Sequence, residues 1–289
     1  MARFGISVAL VTPFQADGAL DSAMLGDHAR NMMDAGVDGV TLFGTTGEGA
    51  SVGLAERRLG IDALIAKGID PARIVLGVYG TAVADVAAQV EQGRASGITQ
   101  FLLPPPFYFG DASDEGLFGW FKEIFEATDA QTRFILYHIP QVTRVPLSVD
   151  LVHRIVATFG DRVAAIKDSS GVWDNAKTLL EHNKLPVLTG DERLLHRAVA
   201  IGGAGSICGM ANLYPKRVLR IFETGTEDPA LTAEVNYVLS NPVMPMLKAL
   251  VAKATSNPDW DRLRAPLVAL DPGTLAGARA HDLLSDADG

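Results

Sequence analysis

The sequence predicts an α/β fold, a (β/α)8 TIM barrel carrying a C-terminal helical extension, and three observations predict it. Eight short β-branched or apolar runs recur at a mean spacing of about 28 residues, the length that a strand, two loops and a crossover helix require. Amphipathic stretches fill the intervals between them. Runs such as Phe134-Ile135-Leu136 lack the alternation of a half-exposed strand and imply burial on both faces, hence a parallel sheet beneath helices. Eight such units close into a barrel. A doubly wound open sheet is the architectural alternative, but no Gly-x-Gly-x-x-Gly follows the first strand.

The first strand is expected at 5–10, an apolar run that leads into Thr12-Pro13 and lacks the charged leader and small-residue cleavage site of a signal peptide. Gly, Pro, Asp or Asn then bound further runs at 39–43, 73–78, 99–103, 133–138, 162–167, 186–189 and 205–208. Helical periodicity places helices at 21–35, 54–67, 82–96, 114–127, 148–159 and 173–183, with Asp21, Asp114 and Ser148 as capping residues. From Asp228 strand signals cease, and Leu, Val and Met recur at helical spacing broken at Pro242, Pro245, Pro258 and Pro266. The expected organisation is a barrel over 1–227 and a helical extension over 228–289 packed on it. The small acidic residues 285–289 are expected to fray.

Composition narrows the function. Of 289 residues, 48% are hydrophobic and 20% charged, a balance that cannot remain solvated as disorder. The net charge of −9 opposes long-range attraction to nucleic acid or to anionic lipid. No apolar run reaches the roughly 18 residues of a membrane helix. The single cysteine, Cys208, cannot form an intrachain disulfide, so a reducing, cytoplasmic location is expected, and its place among small residues suggests a buried structural thiol. The six histidines show no His-x-His or His-Glu-x-x-His spacing, so no metal is expected.

In a barrel the reaction sits where strands end at the C-terminal rim. Lys167 follows Val163-Ala164-Ala165-Ile166 without a polar break, which places it inside the barrel or at its mouth. Burial favours the free amine, which can attack a ketone and form a Schiff base; the alternative is a lysine reaching solvent or pairing with Asp168. Tyr137 ends the preceding strand and could shuttle protons in the same cavity, or be a core tyrosine tied to backbone. Gly44-Thr45-Thr46-Gly47 sets two hydroxyls and flexible backbone after a strand, as an anion-binding turn does, though an ordinary turn reads the same way.

In one register, these pieces resemble the dihydrodipicolinate synthase/N-acetylneuraminate lyase family of pyruvate-dependent class I aldolases. The resemblance runs from Val8 to about Pro215. It is carried by Thr12-Pro13-Phe14, Gly44-Thr45-Thr46-Gly47-Glu48, Tyr137-x-Ile139-Pro140, Ile166-Lys167-Asp168-Ser169-Ser170-Gly171, Gly190-Asp191-Glu192 and Gly205-Ser206-Ile207 followed by Ala211-Asn212. It implies a homotetrameric barrel without a separate cofactor, in which Lys167 forms an imine with pyruvate. Tyr137 would be the proton shuttle and Thr45 would link it into a relay. Thr46, with Gly47 and nearby backbone, would hold the pyruvate carboxylate. Tyr108 would be a second relay tyrosine lent to a neighbouring subunit, and Gly190 and Ile207 would line the pocket.

Two departures bear on the second substrate. The synthase branch carries an arginine five residues after the tyrosine to hold the carboxylate of aspartate semialdehyde; this chain has Val142 there, with Arg144 two residues on where glycine is usual. His138 also replaces a common asparagine. Asp191 and Glu192 could accept hydrogen bonds from substrate hydroxyls. The expected activity is therefore an aldolase or lyase acting on a 2-keto-3-deoxy sugar acid or related hydroxylated 2-keto acid. The synthase itself, a non-catalytic pyruvate-binding sensor and an unrelated barrel enzyme for a phosphorylated substrate are the alternatives.

Overall fold

A computed structural model describes residues 3–282. Its eight strands are β1 (Gly5–Ala9), β2 (Gly39–Leu42), β3 (Ile74–Gly77), β4 (Gln100–Leu103), β5 (Arg133–His138), β6 (Val163–Asp168), β7 (Val187–Thr189) and β8 (Gly205–Cys208). All pair in parallel in chain order, and β8 returns to β1 to close the barrel. At that seam the β1 backbone comes too near β8 for a side chain at Gly205. A Cβ on Gly205 would lie 2.0 Å from the Gly5 carbonyl oxygen, and both residues have positive φ.

The crossover helices are α1 (Ser22–Asp34), α2 (Leu54–Ala66), α3 (Val83–Arg94), α4 (Asp114–Ala127), the short α5 (Pro140–Thr143), α6 (Val149–Phe159), α7 (Trp173–His182), α8 (Glu192–Ala200) and α9 (Pro215–Thr224). Asp21 and Ser148 cap α1 and α6 as expected, each accepting an amide hydrogen bond from the third residue on. The cap of α4 is Ser113 rather than Asp114. Asp114 is already in the first turn, where its carboxylate favours the positive helix end and accepts from the Ser148 hydroxyl at 2.5 Å.

Beyond the barrel come α10 (Pro229–Leu239), α11 (Val243–Ala254) and α12 (Pro272–Ala280). Pro245 does not break a helix as expected. It occupies the first turn of α11, where no intrahelical amide is needed. Leu231, Val235, Met246 and Leu250 of this region share one apolar cluster with Val8, Leu10 and Met210 of the barrel. Residues 285–289 lie outside the described residues. No helix among the described residues is long and apolar enough to cross a membrane.

Strand alternation divides the barrel interior from its helical coat. Ala9, Val75, Leu102, Ile135, Ala165, Leu188 and Ile207 fill the interior, while the alternate residues pack beneath the helices. By the same period of two, Tyr137 and Lys167 continue the inward rows of Ile135 and Ala165.

Candidate active site

Tyr137 and Lys167 face one another across β5 and β6, paired directly in register. Lys167 Nζ donates to Tyr137 Oη at 3.2 Å and lies 4.3 Å from the centre of its ring. Both residues are buried. Among the described residues Lys167 has no carboxylate at ion-pair distance. Asp168, next in sequence, points to the other face, where it accepts from Asn175 Nδ2 at 2.9 Å and from the Ser170 amide. Lys167 opens into a hollow of about 450 Å³ that also takes in Thr45, Thr46, Gly190, Asp191, Glu192 and Ile207.

The loop after β2 is held from several sides. Phe43 and Glu48 both adopt left-handed backbone, and strained residues of this kind persist only where the surroundings fix them. Here the Thr12 hydroxyl donates to the Gly47 carbonyl at 2.6 Å. Glu48 accepts from Lys248 Nζ at 2.7 Å and from the Arg264 amide at 3.1 Å. The Gly47 and Glu48 amides close the turn onto Gly44 and Thr45. Among the described residues, the Thr45 and Thr46 amides have no acceptor. Two adjacent unpaired N–H groups form a ready cradle for a carboxylate. Gly47 does not line the hollow as expected; it is tucked against β1, where a Cβ would lie 2.6 Å from the Leu10 carbonyl oxygen.

The loop after β7 brings its glycine against the lysine. A Cβ on Gly190 would come within 1.8 Å of Ser169 Oγ and 2.9 Å of Lys167 Cε. Ser169 Oγ itself is buried without a partner among the described residues. Asp191 caps α8 and chelates Arg193, whose Nη2 lies 2.6 Å from Asp191 Oδ2 and whose Nη1 donates to Asn236 Oδ1 at 2.8 Å. Glu192 departs from expectation. Its Oε1 accepts the Met210 amide at 2.7 Å, so it serves the turn after β8 before it can serve a substrate. Burial raises the pKa of its carboxyl above the ordinary value.

Two further residues are not brought to the lysine. Tyr108 is 80% exposed, its ring set edge-on to Phe109, and it does not line the hollow. Arg144 is exposed and lies in a second hollow of about 320 Å³, on the far side of Val142 and Ile139. Its φ of 60° is left-handed, the conformation glycine adopts most readily. Val142 borders both hollows.

His138 turns outward and its Nδ1 accepts the Leu147 amide at 3.1 Å, and burial lowers its pKa. The Cys208 thiol is buried and its pKa is raised, by burial first and by Glu192 second. Asn212 clips β1 to β8: it donates to the Ala9 carbonyl at 2.8 Å and accepts from the Val11 amide and from His28.

Sequence reasoning missed Tyr79, Ser169 and Arg193. Tyr79 carried a usable signal, since it stands two residues past β3 at the catalytic rim. Arg193 carried none, because its place depends on Asp191 and on Asn236 of α10.

Residues 2–259 match the dihydrodipicolinate synthetase family. An uncharacterized DapA-like lyase of Chloroflexus aurantiacus is 34% identical over 285 residues, covering 96% of this chain and 95% of the relative. A 4-hydroxy-tetrahydrodipicolinate synthase of Corynebacterium diphtheriae is 34% identical over 224 residues, 76% of this chain and 72% of the relative. The crystal structure of dihydrodipicolinate synthase from Agrobacterium tumefaciens superposes with a TM-score of 0.92 at 44% identity, covering 96% of this chain and 97% of that one. With its barrel, its helical extension and these relatives, the chain belongs to the dihydrodipicolinate synthase family and is an enzyme of that family's class I lyase type.

Proposed function

We propose that the protein is a pyruvate-dependent, Schiff-base-forming carbon–carbon lyase. The observation that carries the reading is a buried amine that has no anionic partner among the described residues, 3.2 Å from a phenol, in a hollow that also holds Thr45 and Thr46, whose amides have no acceptor among those residues. Those amides and the Thr46 hydroxyl hold the carboxylate of pyruvate. Lys167 Nζ attacks C2, and the proton lost by the amine passes through Tyr137 to the former keto oxygen, giving a carbinolamine; a second proton, taken up from solvent and delivered by Tyr137, lets that hydroxyl depart as water and leaves the imine cationic. The cationic imine withdraws electrons from C3. Loss of a C3 proton gives an enamine, and the enamine adds to an aldehyde; the cleavage direction runs through the same steps in reverse. Thr45 links Tyr137 into the relay. No metal or separate cofactor enters these steps.

For the aldol that is cleaved or formed we favour a 2-keto-3-deoxy sugar acid or related hydroxylated 2-keto acid, which makes the acceptor a hydroxylated aldehyde. Val142 presents no charge at the rim, while Ser169, Ser170 and Gln141 offer hydroxyl and amide groups beside Lys167. Asp191, held by Arg193, retains accepting capacity toward a hydroxyl. The second reading, condensation of pyruvate with aspartate semialdehyde, is favoured by the likeness to synthases of the family. An acceptor series with pyruvate separates the two. Turnover several-fold faster with hydroxylated aldehydes supports the first, and a preference for the semialdehyde overturns it. The exposed run Phe107-Tyr108-Phe109 supports a homo-oligomer, a tetramer by family resemblance, in which Tyr108 would reach a neighbour.

A further inference from the structure

The steps above leave unused a phenol at the barrel rim whose hydroxyl is buried, that of Tyr79. Tyr79 lies just beyond β3, the strand paired with β2, so its ring stands beside the loop that carries Thr45. Gln89 clamps its backbone from both sides, accepting from the amide at 3.0 Å and donating to the carbonyl at 2.6 Å. The ring is pressed against the Gly49 backbone, where a Cβ would approach a ring carbon to 2.8 Å. Arg57, itself held by the Gly77 and Gly49 carbonyls, covers the ring at 5.9 Å.

A residue fixed this firmly has a hydroxyl with a definite aim. Tyr79 Oη is closed to solvent and makes no hydrogen bond of ordinary length and angle among the described residues. The groups within electrostatic reach of it are the Thr45 hydroxyl, the Tyr137 phenol and the Arg57 guanidinium. Thr45 borders both hollows, so it stands between Tyr79 on one side and Tyr137 with Lys167 on the other. An unpaired buried hydroxyl is unfavourable, and phenylalanine would fill the same space without that penalty. The position of the hydroxyl therefore calls for a partner, and Thr45 is within reach.

We propose that Tyr79 is a positioning residue for the imine chemistry, its hydroxyl orienting that of Thr45 from within the same subunit. When Tyr79 donates to Thr45 Oγ1, the Thr45 proton is turned toward Tyr137 Oη. Tyr137 already accepts from Lys167, so its own proton is left for the departing oxygen of the substrate. Tyr79 neither gains nor loses a proton over the cycle. Hydrogen bonds of this kind are often loose in the free enzyme and tighten once substrate is bound. Tyr108, exposed on this subunit, lines neither hollow of its own subunit.

The inference rests on the Schiff-base reading of Lys167, and the test separates the two. Wild-type protein, Tyr79→Phe, Tyr108→Phe, Thr45→Val and the Tyr79→Phe/Thr45→Val pair are compared for kcat, for KM toward pyruvate, and for the rate of borohydride-trapped adduct formation. Failure of the wild type to trap pyruvate overturns the Schiff-base reading itself. With a trapping wild type, Tyr79→Phe is expected to lower kcat and the trapping rate about tenfold, with KM within about twofold and an unchanged unfolding midpoint. Adding it to Thr45→Val should cause no further loss, because both substitutions break one hydroxyl chain. Wild-type kcat in Tyr79→Phe, a parallel loss of stability, or losses that multiply in the pair would each overturn the inference.

Discussion

The molecule buries two lysines, Lys167 and Lys248, in surroundings of opposite character. Lys248 is fully enclosed and saturated: it pairs with Glu48 at 2.7 Å, donates to the Thr12 carbonyl at 2.9 Å and also reaches the Arg262 carbonyl. Burial lowers its pKa and Glu48 opposes that shift. Lys167 meets one neutral hydroxyl and an open hollow. The first ammonium ties α11 to the loop after β2; the second amine is left available. What makes a buried lysine reactive is therefore the absence of a charged partner together with room for a substrate, rather than burial alone.

The same substitution at both positions should break the comparison in opposite directions. Lys167→Met is expected to cut turnover on the order of 10⁴-fold while leaving the unfolding midpoint unchanged or raised, since only one weak hydrogen bond is lost. Lys248→Met leaves Glu48 buried without its counter-charge. A loss of about 3–5 kcal/mol is expected, read as a fall of roughly 10 °C in the unfolding midpoint, with Lys167 chemistry intact in the folded fraction. If the first variant unfolds early, or the second loses imine formation while folded, the division of roles is wrong.

A smaller effect probes the space around Lys167. Gly190→Ala places a methyl group on Ser169 Oγ and Lys167 Cε, both of which must move. Steady-state kinetics should show a drop in kcat of roughly 10–100-fold with little loss of stability, because side-chain ends yield while the amine leaves its attack geometry.

The smallest effect belongs to the scaffold histidines. His28, whose Nε2 donates to Asn212 Oδ1 at 2.8 Å, and His138 both have pKa values lowered mainly by burial. The unfolded chain therefore takes up these protons first as pH falls. Stability should be complete above the unfolded value of about 6.5 and decline as pH drops from there through the depressed folded values. Chemical denaturation between pH 8 and pH 5 checks this, and His28→Gln should flatten part of the decline.

Much of this was legible in the sequence, because strand period and strand closure are local signals. The eight strands follow from the spacing of apolar runs and the residues that bound them, and Tyr137 and Lys167 each close such a run, which puts them at the barrel mouth. What failed depended on partners distant in the chain. Glu192 looked free until the turn after β8 placed the Met210 amide on it. Gly47 looked like part of the cradle until β1 was found behind it. Arg144 followed Val142 too closely for sequence to say that Ile139 and Val142 separate it from the lysine. Asp114 and Ser113 differ by one position, and only the bond to the Gly116 amide names Ser113 as the cap.

The chemistry of this barrel turns on which buried amine reacts. Borohydride reduction with pyruvate, followed by peptide mapping, reads this directly. The reduced pyruvyl adduct is predicted on the peptide containing Lys167, with the peptide containing Lys248 unmodified; an adduct on Lys248, or full turnover without any adduct, would contradict it.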